Sequence, residues 1–429
     1  MEIDDHDHPS SFADATSSGK ERDVVILQES NHDNKSLETI VAFLMNLAKL
    51  PPQQLWDMFG MEGNTNNGKD PFSLQELQQG KCPTGLKTAE WLPPRPWNSE
   101  ELSSLFKSNV EKLKSGGNTK NEERVIVWYE HLSKAGGTTF CGLARTHFGK
   151  AFVPKYFCMP KKFNTTRLDG RVGSWTNEEL IEYAQRERHL LVSNEWDFFN
   201  IQKLQLSGRS LDGKELHLSH QLAAPQLLFV TTLRDPLDRL LSSYLFFGAG
   251  ESPSDFAVWT KRNFNRLGGY RLGQFGTYRC NIARYNAITW RYSGGLLKHD
   301  TSKSSTQESQ FPPPMIDEQQ WRTPFQTAIR VLSQQDLVLP LDIMSKEEGA
   351  KALRSLLGWK SVEIKGKGGG NGDKKNGHIV TSGEIRNSNA RDYLSEQDYR
   401  FLWDANWLDN ILVRWCRAVF LARLHCQDV

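Results

Sequence analysis

The chain has no C-x-x-C pair among its six cysteines, Cys82, Cys141, Cys158, Cys280, Cys416 and Cys426. Zinc-ribbon and thioredoxin-type readings therefore have no support. The even count permits disulfides without demanding them, and Cys141 is expected as a buried thiol in a helix. Long apolar runs are also missing. The best, Ile40 to Met45, is interrupted at Asn46 and Lys49, far short of the roughly 20 residues a membrane span needs. An amphipathic helix is expected there instead, and no stretch reads as a signal peptide. Net charge is small too: it is +2, with −6 on residues 1–30 and +8 on the remainder. A mildly basic body under an acidic tail fits an anionic ligand and is too weak a signal for nucleic acid. No internal repeat is visible.

What the sequence does have is a stretch from Arg124 to His147 around which the rest is organised. Val125-Ile126-Val127-Trp128-Tyr129 is an unbroken apolar run, the pattern of a strand buried on both faces. Lys134-Ala135-Gly136-Gly137-Thr138-Thr139 follows as a turn, and Phe140, Leu143 and Ala144 then recur at helical spacing. Strand, glycine loop and helix aim backbone N–H groups and the positive end of a helix at one point, which suits a phosphate-like anion. Lys134 adds a mobile positive charge, and Thr138 and Thr139 add hydroxyl donors. A nucleotide-triphosphate loop places its lysine after the glycines. Here Lys134 precedes them and no Gly-Lys-Ser/Thr occurs in the loop.

The remaining chain divides by composition. Residues 1–35 are polar and acidic and are expected to be a disordered tail. Residues 36–120 read as a helical and irregular N-terminal extension. It has a helix from Ser36 to Leu50 stopped by Pro51-Pro52, a Gly/Asn/Gln/Pro-rich stretch over 60–96, and a helix from Ser99 to Leu113. Residues 121–426 read as the main domain, with insertions near 300–314 and 365–377. Within it, Thr176-x-x-Glu179 is a capping box opening a helix. Leu190-Leu191-Val192 is a second strand, ending in Ser193-Asn194-Glu195-Trp196-Asp197. Carboxylates at the carboxyl end of a parallel strand lie where α/β proteins bind ligands, so Glu195 and Asp197 are site candidates. A third strand, Leu227 to Val230, leads into Arg234-Asp235-Pro236 and an amphipathic helix carrying Ser242. Pro236 suits a first helical turn, and an arginine at this position can grip a phosphate with parallel hydrogen bonds. Asp235 and Asp238 are its competing ion-pair partners.

These two loops resemble those of the sulfotransferases that use 3′-phosphoadenosine-5′-phosphosulfate, above all the Golgi heparan-sulfate 2-O, 6-O and uronyl type. The family's H-x-P-K-T-G-G-T-[ST] resembles His131-Leu132-Ser133-Lys134-Ala135-Gly136-Gly137-Thr138-Thr139. Its R-D-P-x-x-R-x-x-S-x-Y resembles Arg234 to Tyr244 throughout. Weaker likenesses follow at Asn286 to Gly294, with the arginine shifted by one to Arg291, at Leu337 to Leu339, and at Asn406-Trp407-Leu408-Asp409. The likeness runs from about Arg124 to Leu424.

The resemblance implies an α/β, P-loop-like three-layer sandwich with a central parallel sheet of about five strands flanked by helices. It implies a transferase that passes a sulfuryl group from the phosphosulfate co-substrate, without a required metal, to a hydroxyl of an acceptor, with a glycan as the acceptor class. Lys134 and the Ala135–Thr139 loop would hold the 5′ end, and Arg234 and Ser242 the 3′-phosphate. The expected base in the 2-O and 6-O enzymes is a histidine after the middle strand; here that strand ends in Glu195, which becomes the expected base, with Asp197 second. His131 is expected to shape the loop, and His378 is a remote alternative. Trp175, Trp196 and Trp259 are candidates to stack on sugar rings. The resemblance also implies a Golgi lumen or membrane setting, in which the sequons at Asn34 and Asn164 would matter. The competing readings are a P-loop-like kinase or NTPase, and a non-catalytic binding protein that keeps the fold.

Overall fold

The computed structural model describes residues 32–59, 70–86, 89–96, 98–117, 124–155, 157–161, 172–212, 225–247, 255–263, 269–271, 277–279, 285–297, 317–359 and 389–426. Strands β1 (Val125–Glu130), β2 (Leu191–Asn194) and β3 (Gln226–Leu233) follow the three apolar runs. β4 (Gly269–Arg271) and β5 (Thr277–Arg279) form a separate antiparallel pair, and β6 (Leu337–Pro340) returns to the main sheet. Among the described residues the sheet has four parallel strands in the order β2-β1-β3-β6, where about five were expected. Every residue of β1 and β2 is buried, so both faces of the sheet are covered. Each fully buried Val, Ile or Leu contributes about 1.5–3 kcal/mol relative to exposure, which is why unbroken apolar runs settle here.

Helices follow the expected signals. α1 (His32–Ala48) starts before Ser36 and takes in the last residues of the stretch expected to be a disordered tail. Its polar first turn is suited to a helix start, where N–H groups have no internal partners. α2 (Ser99–Lys114) packs against β1 and β3, and its Asn109 Oδ1 accepts the Val125 N–H at 2.9 Å, so the extension caps the first strand. α3 (Gly137–Phe148) opens after the glycine loop. α4 (Asn177–Arg186) has the full capping box between Thr176 and Glu179. α5 (Pro236–Phe247) begins at Pro236, with Asp235 Oδ1 accepting the N–H groups of Leu237 and Asp238. α6 (Ala287–Tyr292), α7 (Glu318–Ser333), α8 (Glu347–Leu357), α9 (Glu396–Ala405) and α10 (Trp407–His425) complete the frame. No helix among the described residues is long and apolar enough to cross a membrane.

Long-range ties bind the extension to the sheet domain. Arg209 and Asp336 form an ion pair with fully buried side chains at 2.8 Å, and Arg209 also reaches Asn98 Oδ1. Trp415 of α10 donates to the Trp91 carbonyl at 2.6 Å. Cys82 is bonded to Cys426 at the end of α10. Cys141 is bonded to Cys158, which corrects its expected role as a buried thiol. The turn that carries Cys158 brings the two Cα atoms to 5.7 Å, within the range a disulfide spans, and sequence spacing alone could not show that approach. Cys416 is the free, buried cysteine among the described residues. Cys280, His378, the Asn164 sequon and both expected insertions lie outside the described residues.

The Cys82–Cys426 bridge joins residues 344 positions apart. Replacing both by alanine is expected to lower stability by about 2–5 kcal/mol, read as a shifted midpoint in urea unfolding. The Cys141–Cys158 bond should persist in the variant, as seen by non-reducing peptide mapping.

Candidate functional site

The strand order places the site. β2 lies on one side of β1 and β3 on the other. The chain therefore reverses direction across β1, and a crevice opens beyond the carboxyl ends of β1 and β3. The Lys134–Thr139 loop leaves the end of β1 and Arg234 leaves the end of β3, so both basic elements rim this one crevice. Arg234 Nη1 donates to the Lys134 carbonyl at 3.4 Å. That is its one polar contact among the described residues, and neither Asp235 nor Asp238 forms an ion pair with it there. Burial pulls the Arg234 pKa down, while Asp238 and Asp235 pull it up. The Asp235 carboxylate is instead committed to capping α5.

The loop is built by close approaches. Lys134 adopts φ of +68°, and Gly136 precedes α3 at φ of +93° without a side-chain cap. A Cβ on Gly136 would strike the Leu341 side chain, and one on Gly137 would land in the His131 ring. Ala135 is fully buried, Thr138 is exposed and Thr139 is half-buried. The first-turn N–H groups of α3 have no internal acceptors, and the helix dipole favours an anion in front of them. Lys134 Nζ lies 3.7 Å from the centre of the exposed Phe246 ring on α5. Ser242, half-buried on the same helix, has a hydroxyl with no partner among the described residues.

Glu195 follows β2 and faces His131, with Nδ1 to Oε2 at 3.4 Å. Burial pushes the Glu195 carboxyl up, but His131, Arg291 and Lys134 together outweigh it and hold the pKa below 4.5. Glu195 is thus ionised at neutral pH and directed toward the β1 loop. His131 stacks on Tyr129 with ring centres 5.5 Å apart and also contacts the carboxylate. Asp197 is placed differently: its buried Oδ2 has no hydrogen-bond partner among the described residues.

A cluster beneath the site was not read from the sequence. Glu130, fully buried at the end of β1, is paired with Arg291 of α6 at 2.6 Å. Asn194 Nδ2 donates to both Glu130 oxygens at 3.0 and 3.1 Å, and Trp128 Nε1 donates at 3.0 Å. Arg291 also donates to the carbonyls of Glu195 and Asn194 at 2.8 and 2.6 Å. Burial raises the Glu130 carboxyl, and Arg291 is the main opposing influence. The signal available in the sequence was a charged residue at the end of an apolar strand, with an arginine in the Asn286–Gly294 stretch.

The aromatic candidates are redistributed. Trp175 packs on Tyr183 and Trp259 on Tyr244, and both are buried. They belong to the core rather than to a stacking surface, because each ring has apolar neighbours to bury against. Trp196 is half-buried. Phe198 and Phe246 are the exposed rings near the crevice, and Phe198 packs edge-on against Trp290 at 4.4 Å. No group of three or more His, Cys, Asp or Glu suited to a metal occurs among the described residues.

Two outcomes test this geometry. Gly137→Ala is expected to destabilise the protein by about 1–3 kcal/mol through overpacking, with the loss largely recovered in Gly137→Ala/His131→Ala, both read by thermal unfolding. A depressed folded-state pKa at Glu195 contributes stability that is present above 4.5, its ordinary value, and is lost as pH falls through the folded pKa. Glu195→Gln should therefore flatten the dependence of unfolding free energy on pH in the acid range below 4.5.

Compared with known proteins, the chain matches no family model, no curated protein and no solved structure.

Proposed function

We propose that the chain is a sulfotransferase that moves a sulfuryl group from 3′-phosphoadenosine-5′-phosphosulfate to a hydroxyl of an acceptor, most simply a glycan. The observation that carries this reading is the pairing of two separate anion-binding elements at one crevice, joined by the Arg234–Lys134 contact at 3.4 Å. A donor with a 5′-phosphosulfate and a separate 3′-phosphate needs two such elements. Lys134, the Ala135-Gly136-Gly137 turn and Thr138 and Thr139 at the start of α3 suit the 5′ end. Arg234 and the Ser242 hydroxyl suit the 3′-phosphate.

The chemistry follows from that division. An acceptor oxygen attacks sulfur in line, and the bond from sulfur to the bridging phosphate oxygen breaks, by analogy with phosphoryl transfer. The Glu195 carboxylate takes the acceptor proton, a contribution worth on the order of 10²–10⁴ in rate. Lys134 and the α3 amides stabilise the charge that develops on the departing phosphate. The lowered pKa of Glu195 keeps it in the ionised, proton-accepting form at neutral pH, at the cost of a weaker pull on the proton than a base with a pKa near the working pH would have. Exposed Phe198 and Phe246 offer apolar faces at the rim for a sugar ring. Two disulfides fit an oxidising compartment such as the secretory lumen, in keeping with the Golgi setting that the resemblance implies.

Calorimetric titration with 3′-phosphoadenosine-5′-phosphate, beside ATP with Mg²⁺, tests the reading. Metal-independent binding of the bisphosphate is expected, weakened by at least about tenfold in Lys134→Ala and Arg234→Ala, each of which removes a charge-assisted contact. Preferential binding of ATP with Mg²⁺ would replace the reading with a kinase or NTPase. Binding of neither to folded protein would point to a non-catalytic role. With a glycan acceptor identified, Glu195→Gln should retain bisphosphate binding and lose transfer.

A further inference from the structure

A second cavity lies away from the crevice, at the opposite end of β6. It encloses about 380 Å³ between α2, α8, α10 and the Pro93–Pro96 strap. Asp336 and Leu337, where β6 begins, are on its wall, whereas the crevice opens where the parallel strands end. Its volume falls within the range of small-molecule sites, about 300–1,000 Å³. The lining is mixed: an apolar part with Val338, Leu356, Val419, Phe420 and the buried thiol of Cys416, and a polar part with serines and charged side chains.

Among the described residues, two cations in this wall form no ion pair: Lys107, whose ammonium donates to the Ser355 carbonyl at 2.7 Å, and Arg423. Arg423 lines the cavity, and its guanidinium donates from Nη2 to the carbonyls of Pro93 and Pro94 at 3.3 and 2.9 Å. Its Nε is inaccessible to solvent and has no hydrogen-bond partner among the described residues. The acids on the same wall are already committed. Asp336 accepts from Arg209 at 2.8 and 2.9 Å and from the Phe229 N–H at 2.8 Å. Glu100 is paired with Arg95 at 2.9 Å. Burial lowers the Arg423 pKa to about 10 and Arg95 pushes it the same way, while Asp336 and Cys416 oppose them; the Asp336 oxygens are nevertheless bonded to Arg209 and the Phe229 N–H rather than to Arg423. Arg423 is half-buried with its Nε shut off from water, so a counter-charge stabilises it, and a planar carboxylate matches the donor fork of a guanidinium. An apolar body on the same molecule matches the apolar part of the wall.

We propose that this cavity binds an amphipathic carboxylate with a single apolar chain, its head on Arg423 and its chain against Val338, Leu356, Val419 and Phe420. This site is independent of the crevice and of the reaction proposed there.

Titration of the full chain with dodecanoate, dodecanol and dodecyl phosphate by calorimetry tests it. Dodecanoate is expected to bind more tightly than dodecanol. Arg423→Met should weaken dodecanoate by at least about tenfold, the size of a lost charge-assisted contact, and leave dodecanol unchanged. Val419→Trp, which fills the cavity, should abolish both while bisphosphate titration at the crevice is unaltered. Absence of dodecanoate binding to folded wild-type protein, equal binding of acid and alcohol, or indifference to Val419→Trp would overturn the proposal. Tighter binding of dodecyl phosphate than of dodecanoate would overturn the carboxylate assignment. Should Arg423→Met fail to fold, the wild-type comparison of acid with alcohol and the Val419→Trp variant still decide the matter.

Discussion

The arrangement at the ends of β1 and β2 depends on one buried ion pair, Glu130 with Arg291. Glu130 ends β1 with no solvent exposure, and a lone carboxylate there would be prohibitively desolvated. Arg291, Asn194 and Trp128 together supply its contacts. Arg291 then has donors left over, and it spends them on the carbonyls of Asn194 and Glu195. The direction in which the chain leaves β2 is fixed by that second set of bonds. The Glu195 carboxylate reaches His131 because its backbone is held from below. His131 in turn sits where Gly137 has no Cβ, so one buried pair sets the relation between the end of β2 and the loop after β1.

Topology provides the other half of the arrangement. The strand order β2-β1-β3-β6 separates the ends of β1 and β3 from helical crossovers that leave in opposite directions. A basic loop and an arginine, distant in sequence, meet at one rim. The frame around them is not confined to the sheet domain. Asn109 caps β1, Trp91 accepts from Trp415, and Arg209 bridges Asn98 and Asp336. A buried pair such as Arg209–Asp336 is weak evidence of net stability, but losing either member would strand the other. It therefore fixes where the irregular extension passes β6.

Local patterns were legible in the sequence wherever the physics is local. Val125 to Tyr129 gave a buried strand because five apolar residues in a row suit two covered faces. The Thr176–Glu179 box and the Asp235-Pro236 start gave helix ends because capping involves residues two or three positions apart. The same locality explains the gaps. Nothing near Cys141 says that Cys158 returns to it, and nothing near Glu130 says that Arg291 will be its partner across the fold. Trp175 and Trp259 could be named as aromatic but not assigned to core or surface, since that depends on Tyr183 and Tyr244 arriving beside them. The sheet of four strands where about five were expected has a similar origin: strand count is a property of pairing between distant segments.

The placement of Lys134 over Phe246 has a consequence for discrimination among anions. A cation resting on an aromatic face has already found a partner, and leaving it forfeits an interaction worth roughly 0.5–2 kcal/mol. A small anion that engages only the loop must overcome that loss unaided. An anion long enough to engage Arg234 as well gains a second contact in the same event, and the Arg234–Lys134 contact makes the two engagements spatially adjacent. On the proposed reading the ring would act as a threshold: inorganic phosphate and sulfate, singly anchored, would be penalised relative to a doubly anchored nucleotide. Selectivity at the crevice would then arise from what the lysine must give up, as much as from what it meets.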